Sequence, residues 1–298
     1  MQTTWQALLA AGQPIIADGG MGTMLIARGL PRGTAPELWN VERPDDVRAI
    51  HRAYVQAGAQ IILTNSFGGN RLRLGMHGLA ERGAELNRAA ARLARAEADA
   101  VPQPVIVAGS IGPTGQMLAP MGTLPPEEAA AAFAEQAEAL VAGGADVLWI
   151  ETMSDLEEVR AAVAGCRGAA PEVPVVATMT FDTRGRTMMG TTPEQATAAL
   201  SELGVVALGA NCGKGPDELE AAIGRMQGAG PGVPLVAKAN AGAPRLEGGV
   251  AVYDATPDVM AAYALRVRAL GAGIIGACCG STPEHIRAIA GALAAGDS

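Results

Sequence analysis

The segment Asp146-Val-Leu-Trp-Ile-Glu151 is a short apolar run that ends in a carboxylate and is followed by a stretch of helical character. Runs of this kind occur eight times, and most are rich in Val, Ile and Leu without strict alternation. This pattern is typical of parallel strands that are buried on both faces. The eight runs are Pro14–Asp18, Gln60–Asn65, Val105–Ser110, Asp146–Glu151, Pro174–Phe181, Val205–Cys212, Pro234–Asn240 and Gly273–Cys279.

Helix-start signals lie between these runs. Thr192, Thr256 and Thr282 are each followed by Pro and then by an acid. This order puts a hydroxyl at the helix cap, Pro in the first turn and negative charge near the positive end of the helix dipole. The Pro-acid part recurs at Pro44, Pro126 and Pro216.

Strands that alternate with helices predict βαβ crossovers and a parallel sheet. Eight such units in 298 residues favour a closed (β/α)₈ TIM barrel over the alternative, an open doubly wound sheet. No linker or change in composition divides the chain, so we predict one α/β domain over residues 1–298. We expect the Pro/Gly-rich stretch from Gln116 to Pro126 to form a loop over the barrel mouth.

Charge and hydropathy exclude several classes of partner. The net charge is −8 and no block of basic residues occurs, which argues against nucleic acid. No apolar run approaches the length of about 18 residues that predicts a membrane span. The chain has no Lys or Arg before Arg28, so it lacks the charged start of a secretory signal, and we expect a cytoplasmic protein.

The chemistry of a barrel lies at the carboxyl ends of its strands. Several predicted strands end in polar or metal-binding side chains, namely Asp18, Thr64, Ser110, Glu151, Asn211, Cys212, Asn240, Cys278 and Cys279. The clustering of these groups on one rim indicates a site more strongly than any one residue does.

Three of the four cysteines are candidate metal ligands. Cys212 ends the sixth run, and Cys278 and Cys279 end the eighth, so a barrel separates them by one strand only. Three protein ligands with one open position describe a catalytic zinc site. Because neighbouring residues of a strand face opposite ways, both members of the pair can bind one ion only if the backbone bends, which the flanking Gly276 and Gly280 permit.

The alternative is that each cysteine simply packs in the core, as most buried cysteines do. We assign that role to Cys166, which lies in a helical stretch. The three histidines, His51, His77 and His285, are not at strand ends, and we predict surface or packing roles for them.

The chain resembles the homocysteine S-methyltransferase family, and within it the homocysteine-binding barrel of cobalamin-dependent methionine synthase. The resemblance runs from about Asp18 to about Ile289. It is carried by Asp18-Gly-Gly-Met-Gly-Thr23, Thr64-Asn-Ser-Phe67, Gly112-Pro-Thr-Gly115, Glu151-Thr-Met-Ser-Asp155, Met179-Thr-Phe-Asp182, Asn211-Cys212 with Gly215-Pro216, Asn240-Ala-Gly242 and Cys278-Cys-Gly-Ser-Thr-Pro-Glu-His285. Ala277 departs from the Gly that often precedes the Cys pair in the family.

The resemblance implies a role for each motif. Cys212, Cys278 and Cys279 would bind Zn²⁺, and the thiol of homocysteine would take the fourth position. Asn240 matches a residue that can occupy that position when substrate is absent, although a structural amide is an equal alternative. Asp18 and Glu151 match residues that hold the substrate ammonium group, and the N–H groups of Gly19 and Gly20 would hold its carboxylate.

The chemistry of these groups suits methyl transfer to the thiol of homocysteine. A free thiol has a pKa of about 8.5, so little of it is nucleophilic at neutral pH, and coordination to zinc removes its proton. The thiolate could then accept a methyl group and give methionine. A buried ammonium group needs carboxylate partners.

The identity of the methyl donor stays open. We expect too little chain after the Cys pair for a corrinoid-binding or folate-binding domain, which leaves a separate methyl-corrinoid protein, S-methylmethionine or betaine. Onium donors are recognised by aromatic faces, and only five aromatic residues lie near the predicted rim: Trp39, Phe67, Trp149, Phe181 and Tyr253. This scarcity favours the corrinoid protein or the sulfonium over betaine.

Two other functions remain as alternatives. A zinc-dependent hydrolase or lyase would normally use His or carboxylate ligands, and no His lies at a predicted strand end. A non-catalytic zinc or thiol sensor would bind metal through the same cysteines and transfer no methyl group.

Overall fold

A computed structural model describes residues 4–247 and 250–296. Eight parallel strands form one sheet, and a short antiparallel hairpin follows the seventh of them. The strands are β1 Ile15–Ile16, β2 Ile61–Leu63, β3 Ile106–Ile111, β4 Val147–Met153, β5 Val175–Met179, β6 Ala207–Cys212, β7 Leu235–Ala239, the hairpin strands β8 Arg245–Glu247 and β9 Val250–Val252, and β10 Ala272–Ala277. Each of the eight predicted runs contains or overlaps one strand of the sheet.

Helices surround the sheet. They are α1 Thr4–Ala10, α2 Met21–Ala27, α3 Trp39–Glu42, α4 Pro44–Gln56, α5 Arg71–Gly75, α6 Gly83–Ala98, α7 Pro126–Ala142, α8 Leu156–Ala169, α9 Pro193–Glu202, α10 Pro216–Gly228, α11 Pro257–Ala269 and α12 Pro283–Ala295. Short 3₁₀ turns occur at Pro36–Leu38 and Ala80–Arg82. None of the helices in the described part of the chain is both long enough and apolar enough to cross a bilayer.

The sheet is a nearly closed barrel. Its strand order is β1-β10-β7-β6-β5-β4-β3-β2, and the first and last strands meet through a parallel bridge between Ala17 and Ile61. At this seam the Gln60 N–H donates to the Ile16 carbonyl at 2.7 Å, and the Asp18 N–H donates to the Ile61 carbonyl at 3.0 Å. The prediction of a TIM barrel is therefore confirmed, and the open-sheet alternative is wrong.

The predicted helix starts are also present. Thr192, Thr256 and Thr282 are the N-cap residues of α9, α11 and α12, and Pro occupies the first turn of each. The Thr192 hydroxyl accepts a hydrogen bond from the Gln195 N–H at 3.2 Å, which satisfies one of the free donors of the first helical turn.

Residues at alternate positions of the strands fill the barrel interior, as the period of two requires. One buried cluster contains Ile106, Ala108, Val147, Trp149 and Val176, together with Trp5 and Leu8 of α1. The intervening residues pack against the surrounding helices in a second cluster. The next inward positions, toward the carboxyl ends, are polar: Ser110, Glu151, Thr178, Asn211 and Lys238, all buried.

Candidate metal and substrate site

Three cysteine side chains meet at the carboxyl ends of β6 and β10, which only β7 separates in the sheet. The sulfur atoms of Cys212, Cys278 and Cys279 lie within 4.8 Å of one another, and all three residues are partly buried. The barrel thus brings together the three predicted ligands from two distant parts of the sequence. Cys166 is fully buried in α8 and belongs to the packing of that helix.

The backbone bends at both places where the cysteines lie. β10 ends at Ala277, and beyond it the Ser281 hydroxyl donates to the Cys278 carbonyl at 2.7 Å, closing a turn. Gly280 in this turn has a φ of +80°, and a side chain there would lie 2.2 Å from the ring of Tyr253. The turn therefore requires glycine, and it frees the two adjacent cysteines from the opposite-facing geometry of a strand.

Cys212 holds a left-handed backbone conformation, with a φ of +67°. This conformation costs a non-glycine residue about 1–2 kcal/mol. Strain of this kind persists where the surrounding structure enforces it, and it is common at functional sites.

The three thiols do not ionise equally. Hydrogen bonds from Cys278 and Cys279 lower the pKa of the Cys212 thiol. The same hydrogen bonds with Cys212 raise the pKa of Cys278, and they raise that of Cys279 further. Three neighbouring thiolates repel one another, so all three are expected to lose their protons together only around a cation.

Asn240 lies beside the cluster, just after β7. Its Nδ2 donates to the Gly213 carbonyl at 2.6 Å and lies 3.5 Å from the Cys212 sulfur. Its Oδ1 is buried and has no hydrogen-bond partner. An orphaned amide oxygen next to three thiols fits a site that receives a further positive group. The residues present therefore fit a metal ion, and three thiolates with an open position suit Zn²⁺.

The cysteines line a cavity of about 380 Å³, within the range of about 300–1,000 Å³ that is usual for small-molecule sites. Gly19, Gly20 and Glu151 line the same cavity, whereas Asp18 and Asn240 are buried outside its lining. Six of the eight residues predicted for the site therefore share one cavity.

Glu151 faces the cavity because it lies two positions after the inward-facing Trp149 on β4, and β4 departs from regular register just there. The pairing of β4 with β5 shifts between Ile150 and Met153, and Thr152 has a φ of +62°. The Ser110 hydroxyl donates to Glu151 Oε1 at 2.5 Å. Burial raises the pKa of Glu151 to about 7, so this carboxyl group is poised to ionise when a positive group enters the cavity.

Asp18 is buried behind the cavity wall, where it is paired with Lys238, which lines the cavity. The Lys238 Nζ lies 2.8 Å from Asp18 Oδ1, and both side chains are 2% exposed. The Leu63 N–H donates to the other carboxylate oxygen at 2.7 Å. Lys238 also lies close enough to Glu151 to lower the pKa of that carboxyl. Binding of a substrate ammonium group by Asp18 stays a prediction, and it would require a rearrangement of this ion pair.

Gly19 and Gly20, which follow β1, are tightly packed. A Cβ at Gly19 would lie 2.4 Å from the Ser281 hydroxyl, and one at Gly20 would lie 2.7 Å from the Cys278 carbonyl. The Gly20 N–H donates to the Ser281 hydroxyl at 3.0 Å. In the described structure the Gly19 N–H has no partner, so it is the more available of the two for a carboxylate.

Sequence reasoning missed several residues of the site. Lys238 lies in the middle of an apolar run, and a lysine at an inward position of a buried strand was a signal that could have revealed it. Asn211 was expected at the rim but given no role; it holds the strained end of β4, since its Oδ1 accepts from the Thr152 N–H at 2.8 Å. His77, predicted to have a surface or packing role, lines the cavity together with Glu37 and Arg73.

Comparison with known proteins agrees with this geometry. The profile of the family described as homocysteine S-methyltransferase matches residues 15–293. The chain belongs to the homocysteine S-methyltransferase family. The resemblance inferred from the motifs is therefore confirmed.

Within the homocysteine S-methyltransferase family, the chain is similar to two methionine synthases. It is 36% identical over 294 residues to the methionine synthase of Mycobacterium tuberculosis and 36% identical over 298 residues to that of Mycobacterium leprae. These matches cover 94% and 95% of this chain but 24% of each relative. The chain thus spans about a quarter of the length of these curated relatives.

Solved structures of the family show the same fold. The oxidized form of the homocysteine methyltransferase MmuM from Escherichia coli superposes with a TM-score of 0.81 at 29% identity, covering 96% of this chain and 98% of that one. The metallated form of MmuM gives a TM-score of 0.77 at 29% identity, with coverage of 97% and 99%.

Proposed function

We propose that this homocysteine S-methyltransferase transfers a methyl group to the thiol of homocysteine, giving methionine, and that it holds Zn²⁺ through Cys212, Cys278 and Cys279. The observation that carries this proposal is the presence of three thiols and a buried carboxylate, Glu151, on the wall of one cavity. Homocysteine carries a thiol and an ammonium group, so its two ends match these two features.

Zinc bound by the three cysteines would lower the pKa of the substrate thiol, so that it enters the reaction as a thiolate. The chain's own residues then hold the rest of the molecule. Glu151 accepts the ammonium group, and its hydrogen bond from Ser110 keeps the carboxylate in place. The free N–H of Gly19 donates to the substrate carboxylate, as the tight packing of that glycine brings its backbone to the cavity wall.

The reaction moves a methyl cation equivalent from donor to sulfur. The homocysteine sulfur forms a bond to the methyl carbon while the bond from that carbon to its leaving group breaks, and the electron pair of the broken bond stays with the leaving group. The proton of the substrate thiol has by then left to solvent. A methyl-corrinoid protein and S-methylmethionine both supply such a methyl group, and we place both ahead of betaine.

Zinc content and methionine formation test the proposal together. Purified protein should contain about one Zn²⁺ per chain, and the Cys278→Ala variant should lose both the metal and activity while keeping its helical circular dichroism, because the cysteine is outside the apolar clusters. Cys166→Ala is the matched control, since that thiol lies away from the site and should leave the zinc content unchanged.

The donor is then identified by supplying homocysteine with S-methylmethionine, betaine or a methylated corrinoid in turn. Formation of methionine from any of them supports methyl transfer to homocysteine, and turnover with betaine alone would overturn the order of the donors. A Cys278→Ala protein that keeps stoichiometric zinc would refute the ligand assignment. Metal that is released on mild oxidation, with no methyl transfer from any donor, would point to a sensor instead.

A further inference from the structure

The inner end of the cavity carries a positive charge, the ammonium group of Lys238. This residue lies on β7, and it lines the cavity together with Glu151 and Gly19. Its Nζ lies 5.8 Å from the centre of the Trp149 ring, which belongs to the apolar cluster inside the barrel. The ammonium group therefore lies where the apolar interior meets the cavity, and a molecule that enters the cavity meets this charge.

Lys238 occupies the place that the motifs assign to a substrate group. Asp18 and Glu151 are the two carboxylates expected to hold the substrate ammonium group, but the Lys238 Nζ lies 2.8 Å from Asp18 Oδ1. Burial raises the pKa of Glu151, and the nearby charge of Lys238 opposes that effect. A lysine of the chain itself thus compensates the two carboxylates, and its charge repels a second cation that approaches them.

Asp18 is also out of reach of a molecule in the cavity. It is 1% exposed and lies outside the cavity lining, to which Lys238 belongs. Its second carboxylate oxygen accepts a hydrogen bond from the Leu63 N–H at 2.7 Å. Of the two expected carboxylates, only Glu151 is left for a substrate ammonium group, and its Oε1 already accepts a hydrogen bond from the Ser110 hydroxyl.

The Lys238 ammonium group has hydrogen-bond donors to spare. An ammonium group carries three N–H donors, and among the residues that the structure describes only Asp18 accepts one of them. Gly19, the next residue after Asp18, lines the same cavity with its free N–H. Both groups lie beside Asp18 on one wall of the cavity, so they suit an anion, and the anionic part of homocysteine is its carboxylate.

We propose that Lys238 binds the carboxylate of the acceptor thiol, and that the acceptors of this protein include thiol carboxylates that have no ammonium group. This acceptor class rests on the proposed function, because it concerns the molecule whose thiol binds the metal. The carboxylate, rather than the ammonium group, then supplies most of the recognition at the inner end of the cavity. The simplest such acceptor is γ-mercaptobutyrate, which is homocysteine without its ammonium group.

Methyl transfer to a thiol carboxylate is balanced in the same way as transfer to homocysteine. The acceptor sulfur forms a bond to the methyl carbon of a sulfonium or methyl-corrinoid donor, and the bond from that carbon to its leaving group breaks. The electron pair of the broken bond stays with the leaving group, and the thiol proton goes to solvent. The product is a methylthio carboxylate. No bond to the ammonium group of homocysteine forms or breaks, so an acceptor without that group can react.

Two analogues of homocysteine separate the contributions of its charged groups. The first, γ-mercaptobutyrate, lacks the ammonium group, and the second, γ-mercaptopropylamine, lacks the carboxylate. Mass spectrometry of the methylated products gives kcat/KM for each in the zinc-loaded protein, with the donor that methylates homocysteine. The value for γ-mercaptobutyrate should lie within about tenfold of that for homocysteine, and the value for γ-mercaptopropylamine should lie at least about tenfold below that for γ-mercaptobutyrate, as expected for a charged hydrogen bond.

Substitution of either member of the ion pair should shift the ratio of kcat/KM for γ-mercaptobutyrate to that for γ-mercaptopropylamine. Lys238→Met should lower the ratio at least about tenfold, because it removes the donor and leaves the Asp18 carboxylate unpaired. Asp18→Asn should raise the ratio, because it frees the lysine from its competing carboxylate. Both values come from the same preparation, so a loss of folded protein cancels, and shifts in opposite directions exclude general damage. Lys214→Met is the matched control, since this exposed lysine lies outside the cavity lining, and it should leave the ratio unchanged.

Calorimetric titration with γ-mercaptobutyrate should show a matching rise in the Kd for Lys238→Met. If the protein methylates homocysteine but neither binds nor methylates γ-mercaptobutyrate, the acceptor class is wrong while the proposed function stands. The same conclusion holds if Lys238→Met leaves both the ratio and the Kd unchanged. If homocysteine is methylated from no donor, the proposed function itself fails, and the Kd values of the wild type and Lys238→Met still decide whether Lys238 binds the carboxylate.

Discussion

Replacement of Lys238 tests how the site is held together inside the barrel. Lys238 and Asp18 are each 2% exposed, and their charged atoms lie 2.8 Å apart. Lys238→Met keeps much of the side-chain length but leaves Asp18 with one remaining hydrogen bond, from the Leu63 N–H. Removal of one partner from a buried pair costs about 3–5 kcal/mol, because the other charge stays buried without compensation.

The size of the effect can be measured by urea unfolding of the metal-free protein. For a chain of 298 residues the unfolding entropy is about 0.6 kcal/mol/K, so about 3–5 kcal/mol corresponds to a drop in Tm of roughly 5–8 °C. The chain has one other lysine, Lys214, whose side chain is exposed. Lys214→Met therefore serves as the matched control and should change the free energy of unfolding by less than about 0.5 kcal/mol.

A double variant separates the charge pair from simple packing. In the Lys238→Met background, Asp18→Asn should cost much less than it does alone, because the charge that it removes has already lost its partner. The reasoning is refuted if Lys238→Met unfolds within about 1 kcal/mol of wild type, or if the effects of the two substitutions simply add.

Three further predictions concern single positions. Cys212→Gly should be more stable than Cys212→Ala by about 1 kcal/mol in urea unfolding of metal-free protein, because only glycine accepts the φ of +67° without strain; equal stabilities would contradict this. The pKa of Glu151 is about 7 in the folded protein against a usual 4.5, so the folded state keeps a proton that the unfolded state loses. The stability of wild type relative to Glu151→Gln should therefore fall by about 3 kcal/mol as the pH rises from 4.5 to 7, and a flat difference would exclude this carboxyl as the cause. Gly19→Ala would bring a Cβ within 2.4 Å of the Ser281 hydroxyl, and it should cost about 1–3 kcal/mol and weaken the binding of methionine in calorimetry.

Much of the fold was predictable because its signals are local. The barrel strands lie within or across the eight apolar runs, and the helices α9, α11 and α12 begin at the predicted caps. Burial on both faces requires continuous apolar residues in a strand, and a helix start requires a capping group, so each signal can be read within a few residues. The hairpin of β8 and β9 was not predicted.

The candidate site was predictable where motifs mark the ends of strands. Cys212, Cys278 and Cys279 were singled out on this basis, and the structure brings their sulfur atoms within 4.8 Å of one another. Zinc as the bound metal, the identity of the donor and the single domain over residues 1–298 stay predictions. Arg73 and His77 were missed because Arg73 lies on α5 and His77 follows that helix, and no local pattern marks which residues beyond a strand end turn toward the barrel mouth.

The sequence by itself determined the barrel, its helix starts and the family to which the chain belongs, because periodicity, capping and motif order are properties of neighbouring residues. Only the tertiary structure decided that Asp18 is paired with Lys238, that Glu151 faces the cavity with Ser110, and that Arg73 lines the same cavity. These facts depend on barrel closure, which sets distances between side chains that lie on different strands and loops. Charge pairing and burial act through those distances, and no spacing along the chain encodes them.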